Sequence, residues 1–485
     1  MMVGLLMWAP AALIGWLLVR RLVVAPGRSG WVPKLFEISL GAGTGIGIVA
    51  IVFFVLLWAH IGGRAVLLSV EAVIGACAVW LAMRQHAVKS VAERAVRPWW
   101  TWMLIAASAL ALVFFAMGAA ASLEANPHGS WDAFSIWNLK AKFLAGGSEV
   151  WQVAVTPVAG SQLVGASHPG YPLLLPSAVA SVWTIQGEAA SATPAALGLL
   201  FAFATAAILC GGVARLRGDA AGLLALLLLL SSDGFASQIA YQYADIPVSF
   251  YILATVALLA LADDGGWPRG TLLLAGLCCG LAAWTKNEGL PFLILALAVT
   301  AWKGGIRVGA WMACGAAPAI LLLSAFKLLL VHDSEAVLPR SAGEALKHMA
   351  DPSRWLEIAG SFARSVWHMG FPWAHPLVLA AILAVAFGLA PRARLLRQMW
   401  LAIPVLGLLA ADFLIYLVTT ADLSWHLSTS NTRVLVQVWP ALLLLTMLAI
   451  NPPALPDAAP QELSLARGKA AREGRHKRKR ATRAA

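Results

Sequence analysis

The chain has 485 residues, of which 60% are hydrophobic and only 12% are charged, and its mean hydropathy is +0.78. The core of a soluble domain does not need such a high fraction of apolar residues. Many of the apolar runs reach the roughly 17 to 25 residues that cross a bilayer. The Leu/Ala-rich run at residues 223–230 does not alternate as the strands of a membrane β-barrel do. These features exclude a soluble enzyme and predict an all-α polytopic membrane protein.

The formal net charge of +12 is concentrated at the C-terminus. Nine Lys or Arg residues and a single acid, Glu473, follow residue 466. Such a run is typical of a disordered cytoplasmic tail that touches anionic lipid, rather than of nucleic-acid binding. We therefore predict a basic cytoplasmic tail over residues 451–485 and no nucleic-acid partner.

Thirteen apolar runs predict thirteen transmembrane helices. They lie at residues 2–19, 37–59, 65–83, 99–121, 193–213, 219–233, 246–262, 270–285, 289–302, 306–331, 374–391, 398–419 and 434–450. Lys and Arg cluster on alternate loops, which predicts an N-terminus outside and a C-terminus in the cytoplasm. Residues 171–186 are also apolar, but a crossing there would break the alternation. We predict that this helix lies on the membrane or dips into it.

Residues 122–170 form a long polar segment on the predicted outer side. Four further outer segments lie at residues 234–245, 286–288, 332–373 and 420–433, whereas most inner loops are short and basic. This asymmetry predicts a functional site at the outer surface. The five cysteines all fall within apolar runs and are interpreted as packing residues.

Two acids on the outer side are candidates for chemistry. Asp132 lies eight residues before Lys140, a spacing that puts both side chains on one face of an interfacial helix. Asp245 opens a predicted span and either caps that helix or lines a pocket with Tyr243. The alternative for Asp132 is a surface acid that is solvated or pairs with a nearby Lys.

The candidate cations lie near two other outer turns. Lys286 and Glu288 are in a short turn between spans, and ionisable groups at membrane depth are costly unless they are paired or hydrated. His426 and Arg433 belong to a hydroxyl-rich segment before the last span, and the Arg fork suits phosphate oxygens. The alternative for Arg433 is a side chain that extends from the helix end to the interface.

Five short segments, in this order along the chain, resemble the GT-C glycosyltransferases, which are multispan enzymes that use a polyprenyl-phosphate-linked sugar. They are Trp131-Asp132-Ala133-Phe134-Ser135-Ile136-Trp137-Asn138-Leu139-Lys140, His168-Pro169-Gly170-Tyr171-Pro172, Tyr243-Ala244-Asp245-Ile246-Pro247, Trp284-Thr285-Lys286-Asn287-Glu288-Gly289 and Trp425-His426-Leu427-Ser428-Thr429-Ser430. The resemblance is to bacterial relatives of the protein O-mannosyltransferase and aminoarabinose-transferase branch. It covers residues 99–450, a GT-C-like catalytic domain, and leaves residues 1–98 as three additional spans.

The resemblance implies a GT-C fold with juxtamembrane helices in a long first periplasmic loop. It implies sugar transfer from a polyprenyl-phosphate donor to an envelope glycan, lipid or protein acceptor at the outer face of the bacterial inner membrane. Asp132 would act as general base or orient the acceptor, and Asp245 would be a second catalytic acid. The donor phosphate would contact Arg433, Lys286 and His426. Substrate contacts are expected from Lys140, His168, Tyr171, Tyr243 and Glu288.

A divalent metal ion, Mg²⁺ or Mn²⁺, held by Asp132 and Asp245 is a further implication of the resemblance. The chain departs from the mannosyltransferase pattern, because Asp132 stands alone where that branch has an Asp-Glu pair. Two other functions stay open from the sequence: a transporter or flippase of lipid-linked glycans, and a scaffold whose basic tail recruits a cytoplasmic partner. The absence of a visible internal repeat argues against an inverted-repeat transporter.

Overall fold

The structure is a computed structural model that describes residues 6–23, 30–83, 98–155, 168–331 and 341–453. Within these ranges the regular structure is helical, apart from two isolated bridges. The α-helices are α1 (Ala9–Leu22), α2 (Trp31–Trp58), α3 (Arg64–Met83), α4 (Trp99–Ala125), α5 (Asn138–Ala145), α6 (Leu174–Gln186), α7 (Ala192–Arg217), α8 (Asp219–Leu230), α9 (Asp233–Tyr241), α10 (Asp245–Asp264), α11 (Arg269–Thr285), α12 (Gly289–Gly304), α13 (Ile306–Ala325), α14 (Ala342–Met349), α15 (Pro352–Trp367), α16 (Pro376–Phe387), α17 (Arg392–Gln398), α18 (Ala402–Val418) and α19 (Leu423–Ala449).

Eight helical segments in the described ranges are long and apolar enough to cross a membrane. They are Trp31–Trp58, Arg64–Leu81, Trp99–Ala125, Ala192–Arg217, Asp245–Asp264, Ile306–Leu330, Arg392–Val418 and Leu423–Ala449. The pair α8 and α9, bent by 64°, provides a ninth if it counts as one broken span. The prediction of an all-α polytopic membrane protein is thus confirmed. The count of thirteen stays a prediction, since α6, α11, α12 and α16 are shorter apolar helices and the run 2–19 lies partly outside the described residues.

Helix α10 is the centre of the bundle. Its membrane-length window is buried throughout, and it packs against α7, α11 and α19. The windows of α3 and α4 are only 11% and 17% buried, so these two helices present most of their apolar side chains outward, where lipid would cover them. Helix α2 packs against α1, α6 and α7, and the Tyr251 hydroxyl of α10 donates a hydrogen bond to the Gly43 carbonyl of α2. Helix α2 therefore belongs to the core of the bundle.

Helix α6 is formed by the apolar residues that follow the long polar segment. Its 13 residues extend over about 20 Å, which is less than the roughly 30 Å hydrocarbon core. Most of its side chains are buried against the protein, chiefly on α2 and α5. Pro127 after α4 and Pro194 in α7 line one pocket, so the chain leaves and re-enters the bundle on the same side. This geometry agrees with a helix that does not cross.

The two ends of the bundle differ in charge. At one end, which we name the basic face, Arg215 of α7 pairs with Glu37 of α2, and Arg217 bonds to the Leu448 carbonyl at the end of α19. Arg397 of α17 pairs with Asp264 at the end of α10. The other end, which we name the site face, is where α4 and α11 end and where α10 and α19 begin. The site residues predicted from the sequence lie toward the site face.

Candidate functional site

A buried carboxylate lies at the centre of the site face. Asp245 is the first residue of α10 and is 0% exposed. Its Oδ1 accepts hydrogen bonds from Lys286 Nζ at 2.9 Å and from Gln437 Nε2 at 2.8 Å, and its Oδ2 accepts one from Arg433 Nε at 3.0 Å. The interpretation of Asp245 as a helix cap is wrong, because Ala244 is the capping residue and no side chain caps α10. The carboxylate instead ties α10 to α11 and α19.

Arg433 joins the two predicted catalytic acids. Its Nη1 lies 2.7 Å from Asp132 Oδ2, while its Nε contacts Asp245, so the planar fork bridges the two carboxylates. The guanidinium also lies over the Tyr243 ring, 4.4 Å from its centroid. These contacts hold the side chain within the site, and they give no support to the alternative of a side chain that merely extends to the interface. The two acids that the sequence places on separate loops meet in space.

Lys286 and Glu288 complete the charged cluster, which we define as Asp132, Asp245, Lys286, Glu288 and Arg433. Lys286 Nζ lies 2.7 Å from Glu288 Oε1 and 2.9 Å from Asp245 Oδ1. Burial opposes the charge on Lys286, but the Asp245 and Glu288 carboxylates outweigh burial and raise the pKa of the ammonium above its usual range. The cluster holds three carboxylates and two cations, so one negative charge is in excess.

Asp132 differs from Asp245 in being accessible. Its side chain is 19% exposed, and its backbone N–H donates to the Tyr243 hydroxyl at 3.2 Å. It precedes a π-helical turn, Ala133–Trp137, which continues into α5. A π turn changes the helical register, and such turns are frequent at functional sites. The two side chains that the sequence placed on one helix face have different partners. Asp132 pairs with Arg433, whereas Lys140 donates a hydrogen bond to the His168 carbonyl.

A second turn packs against the cluster and carries two of the predicted substrate contacts. The Tyr171 ring stacks between Trp137 and His168, with centroid separations of 5.5 and 4.8 Å. Lys140 is fully buried, and its Nζ lies 5.9 Å from the Tyr171 centroid. Burial, assisted by the Glu288 charge, raises the pKa of Tyr171 to about 12. The phenol is therefore neutral near pH 7 and can only donate or accept a hydrogen bond.

The structure does not bring His426 into contact with the charged cluster. Its Nδ1 lies 3.2 Å from Thr419 Oγ1, and its ring packs edge-on against Tyr416, 4.8 Å between centroids. Arg433 lies about two turns further along α19, so His426 and Arg433 contact different sets of residues although they belong to the same helix. The prediction that His426 contacts the donor phosphate gains no support from this position.

Gln437 and Lys327 belong to the site but were not among the sequence candidates. Gln437 follows Arg433 by four residues, so both side chains reach Asp245 from one face of α19. Lys327 Nζ donates to Asn287 Oδ1 at 2.9 Å and also to the Gly170 carbonyl. In the sequence, Gln437 could have been found from its four-residue spacing after Arg433. Lys327 could have been found as a lone lysine inside an apolar run.

Asp245 is poorly suited to hold a metal ion. Both of its oxygens accept hydrogen bonds from Lys286, Gln437 or Arg433, and a cation would have to displace these donors. Across the described ranges, no three His, Cys, Asp or Glu side chains come together as a potential metal site. The implied Mg²⁺ or Mn²⁺ stays a prediction.

Comparison with known proteins adds no identification. No family model, curated protein or solved structure matches the chain. The resemblance to GT-C enzymes therefore rests on the short segments alone, and its functional implications are proposals.

Proposed function

We propose that this protein is a GT-C-type glycosyltransferase that moves a sugar from a polyprenyl-phosphate donor to an acceptor hydroxyl at the site face. The single observation that carries the proposal is the convergence of Asp132 and Asp245 on Arg433. Three remote segments contribute these residues, and each is at or near a segment that resembles the family. A purely structural bundle gains little from such a cluster, because buried ion pairs are weak stabilisers.

Asp132 is the general base in this proposal. It takes the proton of the acceptor hydroxyl while the acceptor oxygen bonds to the anomeric carbon and the bond from that carbon to the phosphate oxygen breaks. The polyprenyl phosphate departs with the bonding electrons. Only Asp132 of the two aspartates is exposed enough to meet an acceptor, and Asp245 acts as a positioning residue that orients Arg433.

The thirteen-span count and a bacterial inner-membrane location with the site face outward also belong to the proposal. The basic face supports this orientation, since Lys and Arg are enriched in cytoplasmic loops. A lipid-linked donor suits the outer side, where nucleotide sugars are not supplied. The acceptor class extends to envelope glycan, lipid or protein.

The test is transfer by the purified protein in proteoliposomes that contain a polyprenyl-phosphate sugar and an envelope extract as the acceptor source. Sugar should appear in the acceptor fraction with wild-type protein and be lost with both Asp132→Ala and Asp245→Ala. Full transfer by both variants would contradict the proposal.

One observation favours the transporter alternative. Asp412 lies within α18, is 4% exposed, and its Oδ2 has no hydrogen-bond partner among the residues that the structure describes. A carboxyl at membrane depth is a common feature of transport pathways. Flux of a lipid-linked glycan across proteoliposomes that survives Asp132→Ala but not Asp412→Asn would favour a transporter over the enzyme.

A further inference from the structure

We propose that Lys327, rather than Lys286, is the lysine that binds the anionic phosphate of the donor. The inference rests on the proposed function and names a residue that neither the sequence candidates nor the resemblance assigns. Lys327 lies in the π-helical turn Phe326–Leu330 that continues α13 at the site face.

The two cations of the charged cluster already have carboxylate partners. Lys286 is paired with Asp245 and Glu288, and Arg433 is paired with Asp132 and Asp245. A phosphate that recruited Lys286 would pull it from a carboxylate that is 0% exposed, leaving a buried charge without its partner. The excess negative charge of the cluster would also repel the incoming anion.

Lys327 has a different set of partners. Its Nζ donates to the Gly170 carbonyl and to Asn287 Oδ1, both uncharged, and no carboxylate in the described part of the chain forms an ion pair with it. An ammonium has three N–H donors, so one remains for a ligand. The side chain is half-buried, whereas Lys286 is 4% exposed. An anion can therefore reach Lys327 without breaking a buried ion pair.

The packing beneath the two lysines holds Lys327 beside the cluster. Trp284 precedes Lys286 by two residues and Phe326 immediately precedes Lys327, and their rings meet edge-on at 5.4 Å between centroids. Asn287, which accepts from Lys327, lies between Lys286 and Glu288 in the chain. A phosphate on Lys327 would thus lie at the edge of the site, next to the turn that carries Tyr171.

The experiment measures binding of a sugar-free polyprenyl phosphate to purified protein by native mass spectrometry. Lys327→Gln should weaken binding about tenfold, the value of one charge-assisted hydrogen bond, while Lys327→Arg should retain it within about threefold. Lys303→Gln removes a cation near the other end of α12, toward the basic face, and should leave binding unchanged. Thermal melting of each variant verifies that the fold is kept.

The outcomes separate this inference from the proposed function. Equal binding by wild type and Lys327→Gln, together with transfer by the wild type, would overturn the role of Lys327 alone. Loss of binding in Lys286→Gln but not in Lys327→Gln, with both folded, would assign the phosphate to Lys286 instead. Failure of the wild type to bind any polyprenyl phosphate would contradict both the proposed function and this inference.

Discussion

At the residue scale, Asp132 and Asp245 differ in role because they differ in exposure. Asp245 is enclosed by Lys286, Gln437 and Arg433, and the Asp132 carboxylate contacts the outer end of the same guanidinium. The enclosed carboxylate fixes the positions of the cations. In the proposed mechanism, the accessible carboxylate of Asp132 is the one that meets the acceptor. Substitution of Asp245 should therefore lower the stability of the protein, whereas substitution of Asp132 should lower the rate of transfer.

Asp245→Asn is expected to destabilise the protein. The substitution keeps the shape of the side chain but leaves Lys286 and Arg433 short of one negative charge next to a fully buried side chain, a change that costs about 3–5 kcal/mol in buried pairs. Thermal melting in detergent should show a clearly lower midpoint than wild type. Asp351→Asn removes an exposed acid and should melt like wild type, since Asn also caps helices well. An unchanged midpoint for Asp245→Asn would contradict the role of Asp245 as the centre of the cluster.

The candidate residues could be predicted from the sequence, but their pairing could not. The polar segments and their shared side follow from hydropathy and charge, and these named Asp132, Asp245, Lys286 and Arg433. The contact between Arg433 and Asp245 joins positions 188 residues apart. No local pattern encodes such a contact, because it depends on how α10 and α19 pack together. The cap interpretation of Asp245 failed for the same reason.

At the element scale, close packing of α11 on α13 sets the spacing of the two lysines at the site face. A β-carbon at Gly276 of α11 would overlap the Met312 carbonyl of α13, and one at Gly315 of α13 would overlap the Leu273 carbonyl of α11. Helices of membrane proteins approach this closely where small residues line the contact. Lys286 follows α11 and Lys327 continues α13, so the contact between the two helices fixes both.

Gly276→Ala should therefore reduce both stability and transfer. Overpacking of this kind costs about 1–3 kcal/mol, and the resulting shift separates Lys286 from Lys327. Gly118→Ala is the matched control, because a β-carbon at Gly118 of α4 meets no atom within 4 Å. Melting and transfer rates measured side by side test the claim. A Gly276→Ala protein that behaves like Gly118→Ala would show that the spacing is not critical.

At the scale of the whole molecule, the two faces of the bundle predict its orientation. Arg307 is exposed at the start of α13 on the basic face, and Ser353 is exposed near the start of α15 on the site face. Arg354 next to Ser353 donates to the carbonyls of Tyr416, Leu417 and Thr419 at the end of α18, which fixes α15 on that side.

A membrane-impermeant maleimide applied to spheroplasts should label Ser353→Cys and spare Arg307→Cys. The background protein should lack the exposed cysteines, Cys77 and Cys314, while the other three are buried. Labelling of both positions after lysis serves as the control. The reverse pattern would place the site face in the cytoplasm and remove the physical reason for a lipid-linked donor.

The basic face and the all-α architecture were accessible from composition and charge alone, since each depends on sums over many residues. The orientation follows from the same charges and stays a prediction. The bend between α8 and α9 and the shortness of α11 and α12 were not, because hydropathy does not report where a helix breaks inside an apolar run. The predicted tail, 451–485, lies almost entirely outside the described residues, and its interpretation stays a prediction.

The turnover rate of Asp132→Asn, measured with a polyprenyl-phosphate sugar and compared with Asp351→Asn, tests the central claim most directly. The account predicts a fall of about 10²–10⁴-fold, the contribution of a general base, with unchanged binding of polyprenyl phosphate. Asp351→Asn should keep the wild-type rate. Turnover by Asp132→Asn within about twofold of wild type would contradict the account.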